Sequence, residues 1–388
     1  MLAWYKNFFL PAGLLAGTVI GAGMFALPWL FQRAGFGVGM AALALGAGAY
    51  LFIHLAYADL IVRSPGEHRF AGYAKLYLGR AGFWVASVVA IFEMVSVLTI
   101  YLIISVSFAN LLFPGDSLVK LLVFWALASL AMFLPLKRLA LTEFLLTGGK
   151  IAIILGILAF GIPNASRILD VGFFTEWQTV LLPLGPALFA LSGRVAIPSV
   201  VAYFREKGVV HSRKALASAI IAGTLIPAVV YILFVIAITS LSRSVSDDSV
   251  TGLIGNIPPL ALIGVGALGL MSIWSAYVLV GVDTKNLLRY DFKFFPGVAA
   301  MITISAPVIL YLAGFHNFIG LVSFVGGIFL AIEGLLVIAM WWSAKRFTPH
   351  HPPLLGKIPL IATAAALLLF TVVAMNEIFQ YALVHWLR

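Results

Sequence analysis

The chain has 388 residues, of which 63% are hydrophobic and only 10% charged, and its mean hydropathy is strongly positive. This composition leaves no room for a sizeable soluble domain and describes a polytopic membrane protein, because a bilayer core takes about 20 apolar residues per helical span. The formal charge of +10 is compatible with a nucleic acid or anionic partner only until the basic residues are placed along the chain.

Eleven apolar stretches of span length follow one another, at residues 8–31, 37–62, 82–113, 118–136, 141–162, 179–203, 215–241, 258–282, 294–315, 319–342 and 358–386, joined by short polar connections. With the amino terminus inside, one alternating set of connections holds seventeen lysines and arginines, among them Arg63, Arg69, Lys285 and Arg289. The other set holds five, Arg33, Lys120, Arg167, Arg243 and Arg388. This positive-inside bias predicts a multi-pass plasma-membrane protein with a cytoplasmic amino terminus and, from the odd span count, an external carboxyl terminus. The basic excess is topological, and no nucleic-acid partner is expected. Cysteine is absent, so disulfides and thiolate chemistry are excluded. The first apolar segment is too long for a signal peptide and lacks a small-residue cleavage pattern, so it is expected to be retained.

The first span contains TVIGAGMFALP, residues 18–28, where two glycines and a proline interrupt an apolar helix. The connection RSPGEHRFAGYAKLYLGR, residues 63–80, pairs a Pro-Gly turn with a short amphipathic stretch and predicts an interfacial cytoplasmic helix. The sixth span reads LLPLGPALFALSGRVAIPSV, residues 181–200. GAGMFALP and SGRVAIPS both place small residues five to six positions ahead of a proline. One opens spans one to five, the other spans six to ten. Five is odd, so the second set enters the membrane from the opposite side. That predicts an inverted repeat over about 8–162 and 179–342, with an additional helix at about 358–386, in a single transporter domain of residues 1–388. Small residues also let membrane helices pack closely, which is the reading for Gly46 to Gly48. The matched position and the following proline set the two breaks apart.

A helix unwound at mid-membrane leaves backbone groups that lipid cannot satisfy, so such a break must face a protein cavity and find a ligand. The amides of Gly21, Ala22 and Gly23, at the amino end of the second half-helix, suit a carboxylate. The carbonyls before them, including Val19 and Ile20, suit an ammonium or metal cation. A site holding both groups is a site for an amino acid.

GTVIGAGMFALP and FALSGRVAIPSV resemble the first and sixth spans of the amino acid/auxin permease and hydroxy/aromatic amino acid permease families of the amino acid-polyamine-organocation superfamily. The eleven-span layout matches over nearly the whole chain. The resemblance implies the all-helical leucine-transporter fold, a five-plus-five inverted repeat with discontinuous helices 1 and 6 and an eleventh helix. It also implies alternating access and secondary active uptake of an amino acid driven by a proton or sodium gradient. By that pattern Val19, Ile20, Gly21, Ala22, Gly23, Leu191, Ser192 and Gly193 line the substrate site. Many relatives carry histidine after the Ser-Gly of the sixth span, where this chain has Arg194, a departure that bears on substrate and coupling.

Charge inside a bilayer is costly and marks function. Lys150, in LTGGKIAIILG, resembles the fifth-span lysine of proton-coupled relatives, which stands where sodium-coupled ones bind a cation between the first and eighth spans. This implies an ammonium set against the carbonyls of Gly17 and Ile20 and the hydroxyls of Ser272 and Ser275. A buried lysine loses its proton readily and can serve as the coupling switch. The alternative is snorkelling, since Lys150 lies about nine residues, roughly 13 Å at helical rise, from the cytoplasmic end of its span. Arg194, Glu93 and Glu333 form either a gate and substrate contact or a buried structural ion pair. Glu377 and Asp59 sit nearer span ends and are expected in solvent. Phe25, Phe189, Trp274 and Tyr277 are candidates to shape a pocket for an apolar side chain.

The expected function is proton-coupled symport of a neutral or aromatic amino acid, with membrane lipid, substrate and coupling ion as partners and no cofactor. The alternative is the same fold coupled to sodium, or moving a metal or other small cation. Metal transport calls for an Asp or Asn with a Met at the breaks, and Met24 alone does not supply it. An integral membrane enzyme needs a metal or acid–base cluster; the seven histidines, His350 and His351 included, show no HExxH or comparable spacing.

Overall fold

The computed structural model describes residues 8–66, 68–133, 136–164, 166–206, 213–242, 244–347, 354 and 360–386, which are helical almost throughout, with no strand among them. Each of the eleven apolar stretches is a helix or a helix pair. They are α1a (Leu10–Val19) and α1b (Leu27–Ala34), α2 (Phe36–Arg63), α3 (Phe70–Leu112), α4 (Ser117–Ala131), α5 (Leu136–Gly161), α6a (Leu184–Leu191) and α6b (Ile197–Glu206), α7 (Arg213–Leu241), α8 (Pro259–Tyr290), α9 (Pro296–Leu312), α10 (Phe318–Phe324 and Leu330–Phe347) and α11 (Leu360–Trp386). Seven helical runs are long and apolar enough to cross a bilayer, the bent pair α1a–α1b makes an eighth, and the shorter apolar helices α4, α5 and α9 complete the set. Large apolar side chains such as Leu45, Phe92, Leu130 and Leu260 stay exposed on outward faces, which suits lipid and would be an aggregation hazard in water.

α3 and α8 run along each other, and α7 packs on α1a, α2 and α5. α6a touches α2 and the five-residue π turn Val325–Phe329 that joins the two parts of α10. α11 leans on α10 and α2.

The amphipathic stretch of residues 63–80 does form a helix, but as the head of α3. Gly79 leaves helical angles with φ 74°, a region that a Cβ disfavours, and the chain turns there into the long remainder of α3. The apolar face of this short helix is covered by protein: the rings of Phe70 and Tyr73 stand edge-to-face on Tyr57 at 6.1 and 6.0 Å.

One expectation of solvation is overturned. Asp59 is completely buried, and its carboxylate accepts hydrogen bonds from Arg63 Nε at 2.7 Å, Trp341 Nε1 at 2.8 Å and the Leu354 amide at 2.8 Å. Neighbouring helices cover the end of α2, and three donors replace water around the charge. Glu377 is half-buried, its stem lying over Gly327 on α10.

Because Asp59 joins α2 to α10, Asp59→Ala leaves Arg63 buried without its carboxylate, a change that costs about 3–5 kcal/mol in comparable buried pairs. The apparent unfolding temperature in detergent should fall clearly, and Asp59→Asn should fall less because its amide oxygen still accepts from Trp341. An unchanged midpoint for Asp59→Ala would show that the pair contributes nothing to stability.

Candidate substrate site

α1a ends at Val19, and Ile20 and Gly21 leave helical angles (ψ 80° and −152°). A 3₁₀ turn, Ala22–Ala26, leads into α1b, which restarts with Pro28 in its first turn, where proline's missing N–H is no loss. The two halves meet at 47°. The sixth span repeats the device: α6a stops at Ser192 (ψ 132°), and a 3₁₀ turn, Arg194–Ala196, precedes α6b. The breaks lie against each other. A Cβ on Gly23 would stand 2.5 Å from Ala190 Cα, so only glycine allows this approach of backbone to backbone.

Between the breaks lies a cavity of about 590 Å³. Its wall brings together Val19, Gly21, Ala22 and Gly23 from the first break, Phe189, Ser192, Gly193 and Arg194 from the second, and Glu93 and Glu333 from α3 and α10. Three other candidates are placed elsewhere. Ile20 is fully buried and turns its carbonyl toward α5. Leu191 is buried against Gly46 on α2. Phe25 sits edge-to-face between Phe108 and Phe234 at 5.0 and 5.5 Å, in the wall of a second, largely apolar cavity of about 440 Å³. Trp274 and Tyr277 do not line the central cavity either; Tyr277 packs edge-on against Phe124.

The freed carbonyls already have partners within the chain. The Val19 carbonyl accepts from the Gly21 amide at 2.8 Å and from the Tyr231 hydroxyl at 2.6 Å. The same hydroxyl is 2.8 Å from the Ala190 carbonyl in α6a, so one α7 side chain ties the two breaks together. The Ile20 carbonyl accepts from Lys150 Nζ at 2.9 Å. Lys150 is 6% exposed and therefore does not snorkel to a surface. Ser272 lines the second cavity together with Lys150, Ser275 is buried one turn further along α8, and Gly17 is buried on α1a. With Gly21 turned back on Val19, the amides of Ala22 and Gly23 head the turn that opens the second half-helix, where the first N–H groups lack helical acceptors.

Arg194 is 4% exposed. Its guanidinium touches the Glu333 carboxylate, lies 3.8 Å from Glu93 and covers the Phe70 ring at 4.3 Å. Beyond it a smaller cavity, lined by Arg194, Phe70, Tyr57 and Asp283, leads toward a vestibule of about 1070 Å³ lined by His68, Arg69, Arg205 and Asp291. Arg69 and Asp283, paired at 3.1 Å, stand between the two. Burial pushes the Asp291 carboxyl up to about 6, against the pull of Arg69 and with the help of Asp283.

On the opposite face the connection between α7 and α8 is held over α1b. Ser249 Oγ donates to the Phe25 carbonyl at 2.6 Å, and the Val245 amide donates to Gln32 Oε1 at 3.0 Å. Asp248 organises this connection by accepting from Ser246 and Thr251 hydroxyls and from the Val250 and Thr251 amides. Burial raises its carboxyl, but hydrogen bonds to its charged form outweigh burial and leave it below the usual aspartate value.

Sequence reasoning did not single out Tyr231, Tyr101, Arg69 or Asp283. A tyrosine in an apolar span carries no signal of the carbonyls it meets, whereas Arg69 and Asp283 were visible only as charges at span ends. The His350–His351 pair lies outside the described residues, and among the described residues no group of three or more His, Asp or Glu is arranged to hold a metal.

Tyr231→Phe should lower stability by about 1–3 kcal/mol, the usual penalty for leaving a buried acceptor unpaired, read as a lower unfolding temperature in detergent. Gly23→Ala should lower it further by forcing the breaks apart, whereas Gly148→Ala, whose new Cβ meets nothing within 4 Å, should not. Equal midpoints for Gly23→Ala and Gly148→Ala would refute the close approach.

Two solved structures place this architecture. MhsT in complex with L-phenylalanine matches with a TM-score of 0.69 at 16% identity, over 96% of this chain and 97% of that one. Mhp1, a nucleobase-cation-symport-1 family transporter, in a closed conformation with bromovinylhydantoin bound, matches with a TM-score of 0.64 at 13% identity, over 95% and 92%. Both are leucine-transporter-fold proteins, and these likenesses establish that fold for this chain. No curated protein matches it by sequence. The model of the tryptophan/tyrosine permease family matches residues 5–247, more than half of the chain. The broken helices and the cavity between them are thus those of a multi-pass membrane transporter, and the chain belongs to the tryptophan/tyrosine permease family.

Proposed function

We propose that this permease is a proton-coupled symporter of a neutral, aromatic amino acid, working by alternating access in the plasma membrane with its basic face cytoplasmic. The observation that carries the coupling is the Lys150 ammonium on the Ile20 carbonyl at 2.9 Å. There a protonated side chain supplies the positive charge that a broken helix would otherwise take from a bound cation. Loss of that proton weakens the bond from α5 to the end of α1a and frees α1a to move against α5. Sodium has no role in this reading, because the ammonium occupies the carbonyl it would use.

The substrate's carboxylate is assigned to the amides of Ala22 and Gly23 at the head of the turn, which the helix dipole favours. Its side chain is assigned to the wall built from Phe189, Tyr101, Met94, Val97 and Val280. Aromatic and flexible apolar groups suit a ring, in keeping with the family's description and with the L-phenylalanine held by MhsT. The moving parts in this reading are the two inverted repeats of about 8–162 and 179–342.

Tryptophan, tyrosine and phenylalanine should each be tested for raising the unfolding temperature of the detergent-solubilised protein, since a ligand that binds only the folded state stabilises it. Purified protein in liposomes should then accumulate the best of them when a proton gradient is imposed, without sodium. Uptake that requires sodium and ignores pH would overturn the coupling. Lys150→Ala should lose gradient-driven accumulation while still exchanging labelled for unlabelled substrate. Full accumulation by that variant would make the lysine structural.

A further inference from the structure

The charges at the wall of the central cavity do not balance. Glu93, Glu333 and Arg194 are 5%, 1% and 4% exposed, so neither bulk water nor salt neutralises them. Arg194 is in direct contact with Glu333 but stands 3.8 Å from Glu93. Glu93 Oε2 is buried and has no hydrogen-bond partner among the described residues, although it belongs to a side chain lining the cavity. Two ionised carboxylates beside one guanidinium would leave an unneutralised negative charge in a buried place, which is costly.

The surrounding elements do not supply the missing positive charge. α2 contributes Tyr50 and Tyr57, whose hydroxyls have no hydrogen-bond partner among the described residues, and His54, whose Nδ1 meets the Thr224 hydroxyl at 2.9 Å. α3 adds Tyr101 at the cavity wall. α8 brings Asp283, a further negative group, and Arg69 ahead of α3 is paired to that aspartate. The first break brings only backbone and apolar side chains. Among the described residues nearby, His54, whose Nε2 has no hydrogen-bond partner, is the one other group able to carry a positive charge.

We propose that Glu93 and Glu333 hold a single proton between them, making this cluster a second protonation site, on the wall of the substrate cavity and separate from Lys150. Two carboxyls beside one cation resolve their mutual repulsion by sharing a proton, and the pair titrates as a unit. Glu333, in contact with the guanidinium, keeps the charge, and Glu93 carries the proton. That proton can exchange with water through the small cavity at Asp283 and the vestibule holding Asp291 and His68. Any part the site plays in transport rests on the proton-coupled reading above, whereas its protonation can be measured without any substrate.

The test is infrared spectroscopy of the full-length protein in detergent at pH 7, comparing wild type with Glu93→Gln and Glu333→Gln and watching the carbonyl stretch of protonated carboxyls. A wild-type band that disappears in each variant is the expected result. In Glu93→Gln the protonated group is gone, and in Glu333→Gln the remaining glutamate ionises to pair with Arg194. A wild type with no such band relative to the variants would overturn the proposal and place the balancing charge on His54 or on a bound cation. Stability gives an independent reading should Glu333→Gln fold poorly. Glu93→Gln mimics the protonated group and should unfold at a temperature no lower than wild type at pH 7, whereas a clear drop would mean that Glu93 is ionised and paired. Lys150→Ala should keep the infrared band whether or not the lysine couples transport, so failure here is distinguishable from failure of the proposed coupling.

Discussion

A peptide group that leaves its helix inside a bilayer must be satisfied by protein or by a ligand, and much of this molecule is arranged around that requirement. The first break frees the Val19 and Ile20 carbonyls, and two side chains from other helices meet them: Tyr231 from α7 and Lys150 from α5. Tyr231 also reaches the Ala190 carbonyl at the end of α6a. The two unwound segments, far apart in the chain, therefore share a donor and lean on each other at Gly23. Without those donors the breaks would be isolated defects. With them, Ala22 and Gly23 stand at the wall of a cavity.

The same constraint explains where charge is found. Apart from Lys150 and the Asp59–Arg63 pair, several ionisable groups of the described helices lie along one route: Glu333, Glu93 and Arg194 at the central cavity, Asp283 with Arg69 beyond it, and Asp291 at the vestibule. Beyond the carboxyl pair, guanidinium and carboxylate groups stand side by side along it, Arg194 against Glu333 and Arg69 against Asp283. Arg194 borders both the central and the smaller cavity, and Arg69 borders both the smaller cavity and the vestibule. The opposite face has a different closure, made by backbone and hydroxyl contacts such as Ser249 to the Phe25 carbonyl.

Much of this was legible in the sequence, for a physical reason in each case. Eleven apolar stretches read as eleven spans because lipid forces length and polarity on a helix. The breaks were visible because only glycine permits the approach at Gly23 and because Pro28 and Pro198 mark helix restarts. What was not legible depends on distance in three dimensions. Asp59 lies one turn from the end of α2, so its position in the chain suggested water; Trp341 and Leu354, nearly three hundred residues later, enclose it. Tyr231 has no local pattern to distinguish it from a tyrosine facing lipid. Phe25 shares the first break with the site residues, yet a 3₁₀ turn rotates its ring to the other side of the helix, between Phe108 and Phe234.

That rotation separates two cavities with opposite chemistry on the two sides of the first span. One is bounded by apolar rings and by Lys150, the other by the first break and the Glu93–Arg194–Glu333 cluster. The ammonium at the end of α1a and the carboxyl pair on the facing wall are held through different contacts, one to backbone and one to side chains. In the proposed reading Lys150 bears on whether the half-helix is anchored, while the carboxyl pair bears on what charge the cavity presents to its occupant. In the proposed pair Arg194 is a permanent cation, which leaves the titration to the two glutamates.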